Sequence, residues 1–150
     1  MLIIDEISQV GGQTFALVDS RLRQFRDEPE RPFGGIPLVL LFGDFFQFEP
    51  VRQTTLLLPQ PKSGLGRQAE AAARHIAGHK LFRQFDVVVI LREQVRAAGC
   101  PTLRGFLSRL REGEQTEEDF RQLRGRLYSP SCQPSFADGL RAITPLNIDR

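Results

Sequence analysis

LIIDE, at residues 2–6, and PLVLLFGDFFQ, at residues 37–47, decide how this chain folds. Each contains a short apolar run, rich in Ile, Val or Leu, that ends abruptly in acidic residues. Continuous apolar runs of this kind are typical of strands buried on both faces of a parallel sheet that helices cover. The sequence therefore predicts an α/β fold with neighbouring parallel strands at residues 2–5 and 38–42.

Acidic side chains and one amide follow the two predicted strands directly. Asp5 and Glu6 end the first run, and Asp44 and Gln47 follow the second. Ligands of open parallel sheets bind at the carboxyl ends of the strands, so we expect these four side chains to share one edge. Adjacent carboxylates need a neutralising cation, and Mg²⁺ carried by a nucleotide is the usual one.

The same segments resemble helicase motifs. LIIDEIS at residues 2–8 resembles a Walker B motif, and GDFFQ at residues 43–47 resembles motif III of superfamily 1 helicases. With DSRLRQFR at residues 19–26 and LFRQFDVVVILREQVRA at residues 81–97, the chain resembles PIF-type DNA helicases of superfamily 1B, and more distantly RecD-like enzymes. The order and spacing resemble the fungal and transposon-associated branch. This resemblance covers nearly the whole chain and implies an incomplete RecA-like sheet of the P-loop NTPase type with flanking helices.

The resemblance also implies roles for five residues in ATP hydrolysis. Asp5 is expected to hold Mg²⁺ through a water, and Glu6, beside the metal, to polarise the attacking water as general base. Gln47 is expected to sense the γ-phosphate, while Asp44 braces its loop near the metal. Arg96 matches the arginine of the family's next motif, which reaches the γ-phosphate across the cleft.

Structural alternatives stand beside these assignments. Asp5 and Glu6 could simply end a strand and cap the next segment. Arg96 could form a surface salt bridge with Glu93.

An aromatic cluster at Phe45, Phe46 and Phe48 also has two interpretations. The rings could stack on bases of single-stranded DNA. Packing of the loop against the sheet is favoured, because large aromatic side chains dominate core burial. Glu49 stands where the family usually has proline, and we expect its charge to weaken binding of nucleotide or DNA.

A second departure from the family concerns completeness. The 150 residues contain no G-x-x-x-x-G-K-S/T sequence, the loop that cradles a triphosphate. We therefore expect an excerpt of a longer motor. Residues 1–128 would be the C-terminal half of a first RecA-like motor domain, residues 129–139 a linker, and residues 140–150 the first strand of a second motor domain.

The remaining pattern predicts further elements. His75 and His79 are expected to be structural or surface residues rather than a metal pair, because other ligands are not obvious. Gly78 is expected to break or bend its helix. The predicted elements are a helix at 13–26, loops at 27–35 and 52–66, a helical stretch at 68–85, a third strand at 86–91, a helix from Pro101 to Gly113, and a capped helix from Thr116.

Composition limits the classes of protein to which the chain can belong. A hydrophobic content of 41% supports a real core, and eighteen of the twenty basic residues are arginine, which suits phosphate recognition. Cys100 and Cys132 are too few for a zinc site or a disulfide framework, and we expect reduced thiols in an intracellular protein. Neither a membrane span nor a signal peptide is visible.

Two functions remain open at this point. The first is a partial ATP-dependent 5′–3′ DNA helicase that uses Mg²⁺, ATP and single-stranded DNA. The family then implies roles in DNA repair, recombination and telomere maintenance, in the nucleus or mitochondrion. The alternative is an inactive remnant of a mobile-element helicase that binds at most DNA or a protein. For the isolated 150 residues we expect no activity.

Overall fold

The computed structural model describes residues 1–59 and 67–125, and the chain divides into two compact units at residues 93 and 94. The predicted linker at 129–139 and the predicted strand at 140–150 lie outside the described residues. The helices and strands are β1 (Leu2–Ile4), α1 (Gly12–Arg26), β2 (Val39–Leu41) and α2 (Arg67–Phe82) in the first unit, and α3 (Pro101–Glu112) and α4 (Glu117–Arg124) in the second.

The two strands form a parallel pair. Leu2 pairs with Val39, and Ile4 pairs with Leu41. A parallel pair needs a long crossover, and α1 supplies it between β1 and β2. The predicted α/β class and the parallel pairing of the two apolar runs are confirmed.

A small apolar core lies in the first unit. Its buried residues come from the turn after β1, from α1, from the loop between α1 and β2, from the loop after β2 and from α2: Ile7, Phe15, Phe33, Leu56 and Leu81. The rings of Phe15 and Phe33 meet edge to face with centroids 5.5 Å apart. Phe33 belongs to a 3₁₀ turn within the loop predicted at 27–35, so that loop contributes to the core.

Helices α1 and α2 approach each other at two glycines. A Cβ on Gly78 would lie 2.0 Å from the carbonyl oxygen of Gly12, so only hydrogen atoms fit between the two backbones. Helix α2 continues through Gly78 without a break. The predicted break at this residue is wrong, and the glycine allows the two helices to pack closely.

The predicted third strand at residues 86–91 is also wrong. This segment lies in neither a helix nor a strand, and its five apolar side chains are 72–85% exposed. A strand requires a neighbour for its backbone hydrogen bonds. Within the part of the chain that the structure describes, the sheet contains β1 and β2 alone, and neither pairs with this segment.

Half of the predicted surface loop at 52–66 is anchored rather than loose. Leu56 is fully buried, and Thr55 forms an isolated antiparallel bridge with Gly11. Residues 60–66 lie outside the described part.

The two histidines of α2 hold this loop. A ring nitrogen of His75 lies 2.8 Å from the carbonyl oxygen of Leu58, and one of His79 lies 2.7 Å from that of Leu56. Buried carbonyl groups need such donors. The structural role predicted for the histidines agrees with these contacts.

In the second unit, α3 and α4 are tied by an ion pair. Arg109 donates two hydrogen bonds to the Asp119 carboxylate, at 2.8 Å and 2.5 Å. Asp119 also accepts from the Thr116 backbone N–H, which completes the predicted capping box of α4. These donors, Arg109 first, hold the pKa of Asp119 well below its usual range. Among the described helices, none is both long and apolar enough to span a bilayer.

Candidate functional site

The backbone of Phe42 forms hydrogen bonds on both sides of the acidic pair at the end of β1. Its N–H donates to the carbonyl oxygen of Ile4 at 2.8 Å, and its carbonyl oxygen accepts from the N–H of Ile7 at 2.8 Å. Asp5 and Glu6 are the two residues between these bonds. The backbone therefore holds both acidic residues directly beside the end of β2.

Glu6 has an unusual backbone conformation for a residue with a side chain. Its φ and ψ are 52° and 47°, in the left-handed region. The Asp5 carboxylate stabilises this turn by accepting from the Glu6 N–H at 2.9 Å. Left-handed non-glycine residues cost about 1–3 kcal/mol and cluster at active sites. Glu6 precedes a 3₁₀ turn without forming a side-chain cap, which disfavours the capping interpretation of its carboxylate.

Gly43 joins β2 to the second acidic segment, and its φ is 150°. A Cβ at this position would lie 2.8 Å from the backbone nitrogen of Ile7. Only glycine allows the segment after β2 to pass this close to the segment after β1. The approach brings Asp44 to the same edge of the sheet as Asp5 and Glu6.

Asp44 organises the turn that carries Gln47. Its Oδ1 accepts from the N–H of Phe46 at 3.0 Å, and its carbonyl oxygen accepts from the N–H of Gln47 at 2.9 Å. Asp44 is half-buried, whereas Gln47 is exposed. The carboxylate thus shapes the turn and leaves the amide of Gln47 directed to solvent-accessible space.

The aromatic cluster beside this turn divides into two parts. Phe45 packs edge to face on Phe82, with ring centroids 5.7 Å apart. Phe46 and Phe48 are 67% and 81% exposed. The predicted packing therefore holds for Phe45, whereas Phe46 and Phe48 are mostly exposed to solvent. Glu49 is exposed beside them.

Arg96 lies in the second unit, in a turn closed by a bond from the Ala98 N–H to the Val95 carbonyl oxygen. Its side chain is exposed. Within residues 1–59 and 67–125, no salt bridge joins it to Glu93. The expectation that it follows a strand is wrong, since residues 86–91 form none. Its reach toward the γ-phosphate stays a prediction.

The acidic residues fit a nucleotide-borne metal better than a metal held by protein alone. Across the described part of the chain, no group of three or more His, Cys, Asp or Glu residues converges as a metal site. Asp5 and Glu6 are exposed, and Asp5 commits one carboxylate oxygen to the Glu6 N–H. Mg²⁺ is normally held by one or two carboxylates together with phosphate oxygens, which matches this donor set.

A polar clamp that the sequence pattern does not indicate joins the start of α1 to the loop after β2. The Gln53 side chain donates to Thr14 Oγ1 at 2.7 Å and accepts from the Thr14 N–H at 3.2 Å. The N–H of Gly12 also donates to the carbonyl oxygen of Thr54 at 3.3 Å. A lone glutamine in a polar loop carries no periodic signal, so its role emerges only from the fold.

Comparison with known proteins identifies the family that most of the chain resembles. The PIF1-like helicase family matches residues 1–116. The ATP-dependent DNA helicase PIF6 of Trypanosoma brucei brucei is 52% identical over 50 residues, which are 33% of this chain and 6% of that protein. The ATP-dependent DNA helicase RRM3 of Saccharomyces cerevisiae is 51% identical over 51 residues, or 34% of this chain and 7% of that protein.

Solved structures agree in fold. A Pif1 helicase from Bacteroides, in complex with ADP-AlF3 and ssDNA, superposes with a TM-score of 0.57 and 25% identity, over 79% of this chain and 26% of that one. Bacteroides Pif1 bound to ssDNA gives 0.52 and 26%, over 81% and 26%. The predicted RecA-like class is confirmed, and the chain spans only a small part of these relatives. Since the family match extends over well more than half of its residues, the chain belongs to the PIF1-like helicase family.

Proposed function

We propose that this chain carries the metal-binding and water-activating part of the ATPase site of a 5′–3′ DNA helicase. The observation that supports this most directly is the pair of backbone hydrogen bonds that Phe42, two residues before Asp44, makes with Ile4 and Ile7; these bonds hold Asp5 and Glu6 beside the end of β2. Open parallel sheets bind their ligands at this end of their strands. The full activity belongs to a longer motor of which these residues form a section.

The roles follow from the geometry and from the family. Mg²⁺, when bound with ATP, neutralises charge on the phosphate oxygens. Asp5, one of whose carboxylate oxygens accepts from the Glu6 N–H, would hold the metal through a water. Glu6 would lie beside the metal and act as general base toward the attacking water. Its carboxylate is exposed, and its backbone is in the left-handed region.

The turn after β2 supplies the remaining contacts of the first unit. Asp44 keeps the turn closed and stays near the metal. Gln47 contacts the γ-phosphate, since an amide both donates to a phosphate oxygen and accepts from a neighbour. Arg96 stabilises the charge of the transferred phosphoryl group.

Single-stranded DNA is the proposed second ligand. The exposed rings of Phe46 and Phe48 adjoin the turn that holds Gln47, so a base stacked there is coupled to the state of the nucleotide. Arginine side chains bind the phosphates of the strand. The proposed cellular roles are DNA repair, recombination and telomere maintenance, in the nucleus or mitochondrion.

The isolated chain is expected to release no phosphate above background. A triphosphate is held largely by the backbone N–H groups and lysine of a P-loop, and the 150 residues contain no such motif. Without it, the carboxylates alone repel an anionic ligand. The measurement is steady-state phosphate release with Mg²⁺ and single-stranded DNA, beside a Glu6→Gln control. Turnover that the control abolishes would contradict this expectation.

The roles themselves are tested by grafting. Residues 1–97 replace the matching segment of an active PIF1 helicase that supplies its own P-loop. We expect DNA-stimulated ATP hydrolysis to persist, and Glu6→Gln in the graft to reduce it by about 10²–10⁴-fold, the usual contribution of a general base. Glu30→Gln, an exposed glutamate away from the site, is the matched control. A folded graft without hydrolysis favours the alternative, an inactive mobile-element remnant.

A further inference from the structure

Helix α1 begins without a capping side chain of its own. Its N-cap is Gly11, which has no side chain to accept from the N–H groups of the first turn. The loop after β2 supplies the missing acceptors. The carbonyl oxygen of Thr54 accepts from the N–H of Gly12, and Oε1 of Gln53 accepts from the N–H of Thr14. Gln53, 39 positions beyond Thr14 in the chain, therefore acts as the cap of α1.

The contact between Gln53 and Thr14 uses both ends of the amide. Nε2 of Gln53 donates to the Thr14 hydroxyl at 2.7 Å, while Oε1 accepts from the Thr14 N–H at 3.2 Å. The neighbouring residue has to be glycine. A Cβ on Gly11 would lie 2.3 Å from Oε1 and 2.4 Å from Cβ of Gln53. Gly11 thus leaves the room that the Gln53 side chain occupies.

This clamp fixes one end of a segment whose other end is fixed beside β2. There, the carbonyl oxygen of Phe42 accepts from the N–H of Ile7 at 2.8 Å. Both ties reach the same stretch, residues 7–14, which directly follows the acidic pair at the end of β1. Residues 44–52 run between the two ties. The segment is thus held at both ends relative to the acidic pair.

The side chains proposed to contact nucleotide and DNA lie within this segment. They are Gln47, Phe46 and Phe48, and all three are exposed. Because Phe48 is 81% exposed, its position depends on the backbone that carries it rather than on packing of its ring. Pro50 is buried, so the backbone leaves the surface there and reaches the clamp three residues later. The two ties therefore decide where the exposed side chains stand.

We propose that Gln53 is a positioning residue of the ATPase site, which keeps Gln47 and Phe48 in a fixed place relative to Asp5 and Glu6. This role rests on the proposed function, since it concerns the same site. Functional side chains need a supporting shell that holds them in place. A segment held at both ends passes a displacement of Phe48 by DNA on to Gln47, whereas a segment released at one end absorbs it.

Hydrogen exchange of single amides, followed by NMR in the 150-residue chain, tests the positioning without any activity. Gln53→Ala should speed exchange at Thr14 by about 5-fold or more, the usual effect of losing a helix cap. The amides of Phe46 and Gln47 should exchange faster as well, because one end of their segment is released. Amides of β1 and β2 should stay protected, which separates local release from loss of the whole fold.

Matched variants isolate the contact itself. In Gln53→Glu, one carboxylate oxygen can accept from the Thr14 N–H and the other from its hydroxyl, and a negative charge suits the first turn of a helix. We therefore expect exchange like that of the original chain. Thr14→Val removes the hydroxyl alone and should release the segment in part, whereas Thr14→Ser should not. Gln84→Ala removes an exposed glutamine elsewhere in the first unit and should change nothing.

ATP hydrolysis tests the link to the site. In the graft of residues 1–97 into an active helicase, Gln53→Ala should lower the ratio of hydrolysis with DNA to hydrolysis without DNA by about 10-fold or more, since small misplacements are costly in catalysis. This ratio does not depend on the fraction of molecules that is folded. Leu22→Ala, which removes core packing away from the clamp, should therefore leave it unchanged. Gln53→Glu should restore it.

The two experiments distinguish failure of this role from failure of the proposed function. An unmodified graft that hydrolyses no ATP counts against the proposed function, and the exchange measurements then decide by themselves whether Gln53 positions the segment. Faster exchange at Thr14 alone, or equally at every amide, would overturn the positioning role. So would an active graft in which Gln53→Ala leaves the stimulation by DNA unchanged.

Discussion

Residues 38–42 and 87–91 are two apolar runs of equal length and similar composition, yet only the first contains a strand. The first run contains β2, whose residues are half-buried and pair with β1. The second run belongs to no strand and is 72–85% exposed. The comparison teaches that an apolar run becomes a strand only where another strand offers it hydrogen bonds and a helix covers it.

The segments that follow the two runs also differ in how closely their contacts constrain them. After β2, Gly43 passes close to the backbone of Ile7, so that an added Cβ would collide with it. This close approach restricts the path of the chain. After residue 91, the chain reaches a turn at residues 95–98. A paired strand therefore delivers its loop to a defined place, and this is the property that a catalytic site requires.

The largest effect is expected at Gly43, the first of the two glycines that follow these runs. Gly43→Ala should destabilise the chain by at least about 2 kcal/mol, because alanine is strained at a φ of 150° and its Cβ would collide with the Ile7 nitrogen. Gly99→Ala, where an added Cβ meets nothing within 4 Å, should leave stability unchanged or slightly increased. Urea unfolding of both variants measures this. Equal losses would show that the turn after β2 is not specially constrained.

A somewhat smaller effect is expected on binding of single-stranded DNA. Phe48→Ala should weaken binding by about 1–3 kcal/mol, or roughly 5- to 150-fold, because it removes a ring available for base stacking. Val95→Ala, an equally exposed apolar residue after the second run, is the control and should have no effect. Fluorescence anisotropy with an oligothymidine probe measures both. A matching loss in the two variants would contradict base stacking at Phe48.

The same substitution in the two runs gives the most direct comparison. Val39→Ala removes half-buried methyl groups that pack against the core and should cost about 1 kcal/mol. Val88→Ala removes exposed ones and should change stability by less than about 0.5 kcal/mol. Thermal unfolding of the two variants makes the comparison. A large loss for Val88→Ala would mean that the second run is buried in solution.

The smallest effect is expected on acidification, and it extends the comparison to the two units. Apolar packing holds the first unit, whereas α3 and α4 are tied by Arg109 and Asp119. Because the pKa of Asp119 is lowered in the folded state, its contribution to stability is complete above its unfolded pKa of about 4 and is lost as pH falls below that value. Hydrogen exchange between pH 5 and pH 2 should show α3 and α4 losing protection before α1.

Loss of protection in α1 first would reverse this order. Asp119→Asn is the matched variant, since its amide cannot ionise. Its α3 and α4 amides should exchange faster than those of the original chain at pH 5 and should show little further change on acidification.

Sequence patterns were sufficient where the cause is local. The helix starting at Pro101 and ending at Gly113, and the capping box at Thr116, depend on residues within a few positions of one another, and all are found. The parallel pairing of β1 and β2 was also predictable, because each run is followed by the acidic residues of one recognisable site. The metal and phosphate roles of these residues stay predictions that await the experiments above.

The sequence by itself determined the family, the α/β class and the order of the elements, because apolar periodicity, caps and motifs depend on residues that are close together in the chain. Only the tertiary structure decided which apolar run is paired, which phenylalanines are exposed, and that Gly78 packs against Gly12. It also revealed the Gln53 clamp and the histidine contacts that fix the loop after Gln47. These features depend on contacts between residues distant in the chain, and a local pattern contains no information about which distant partner is present.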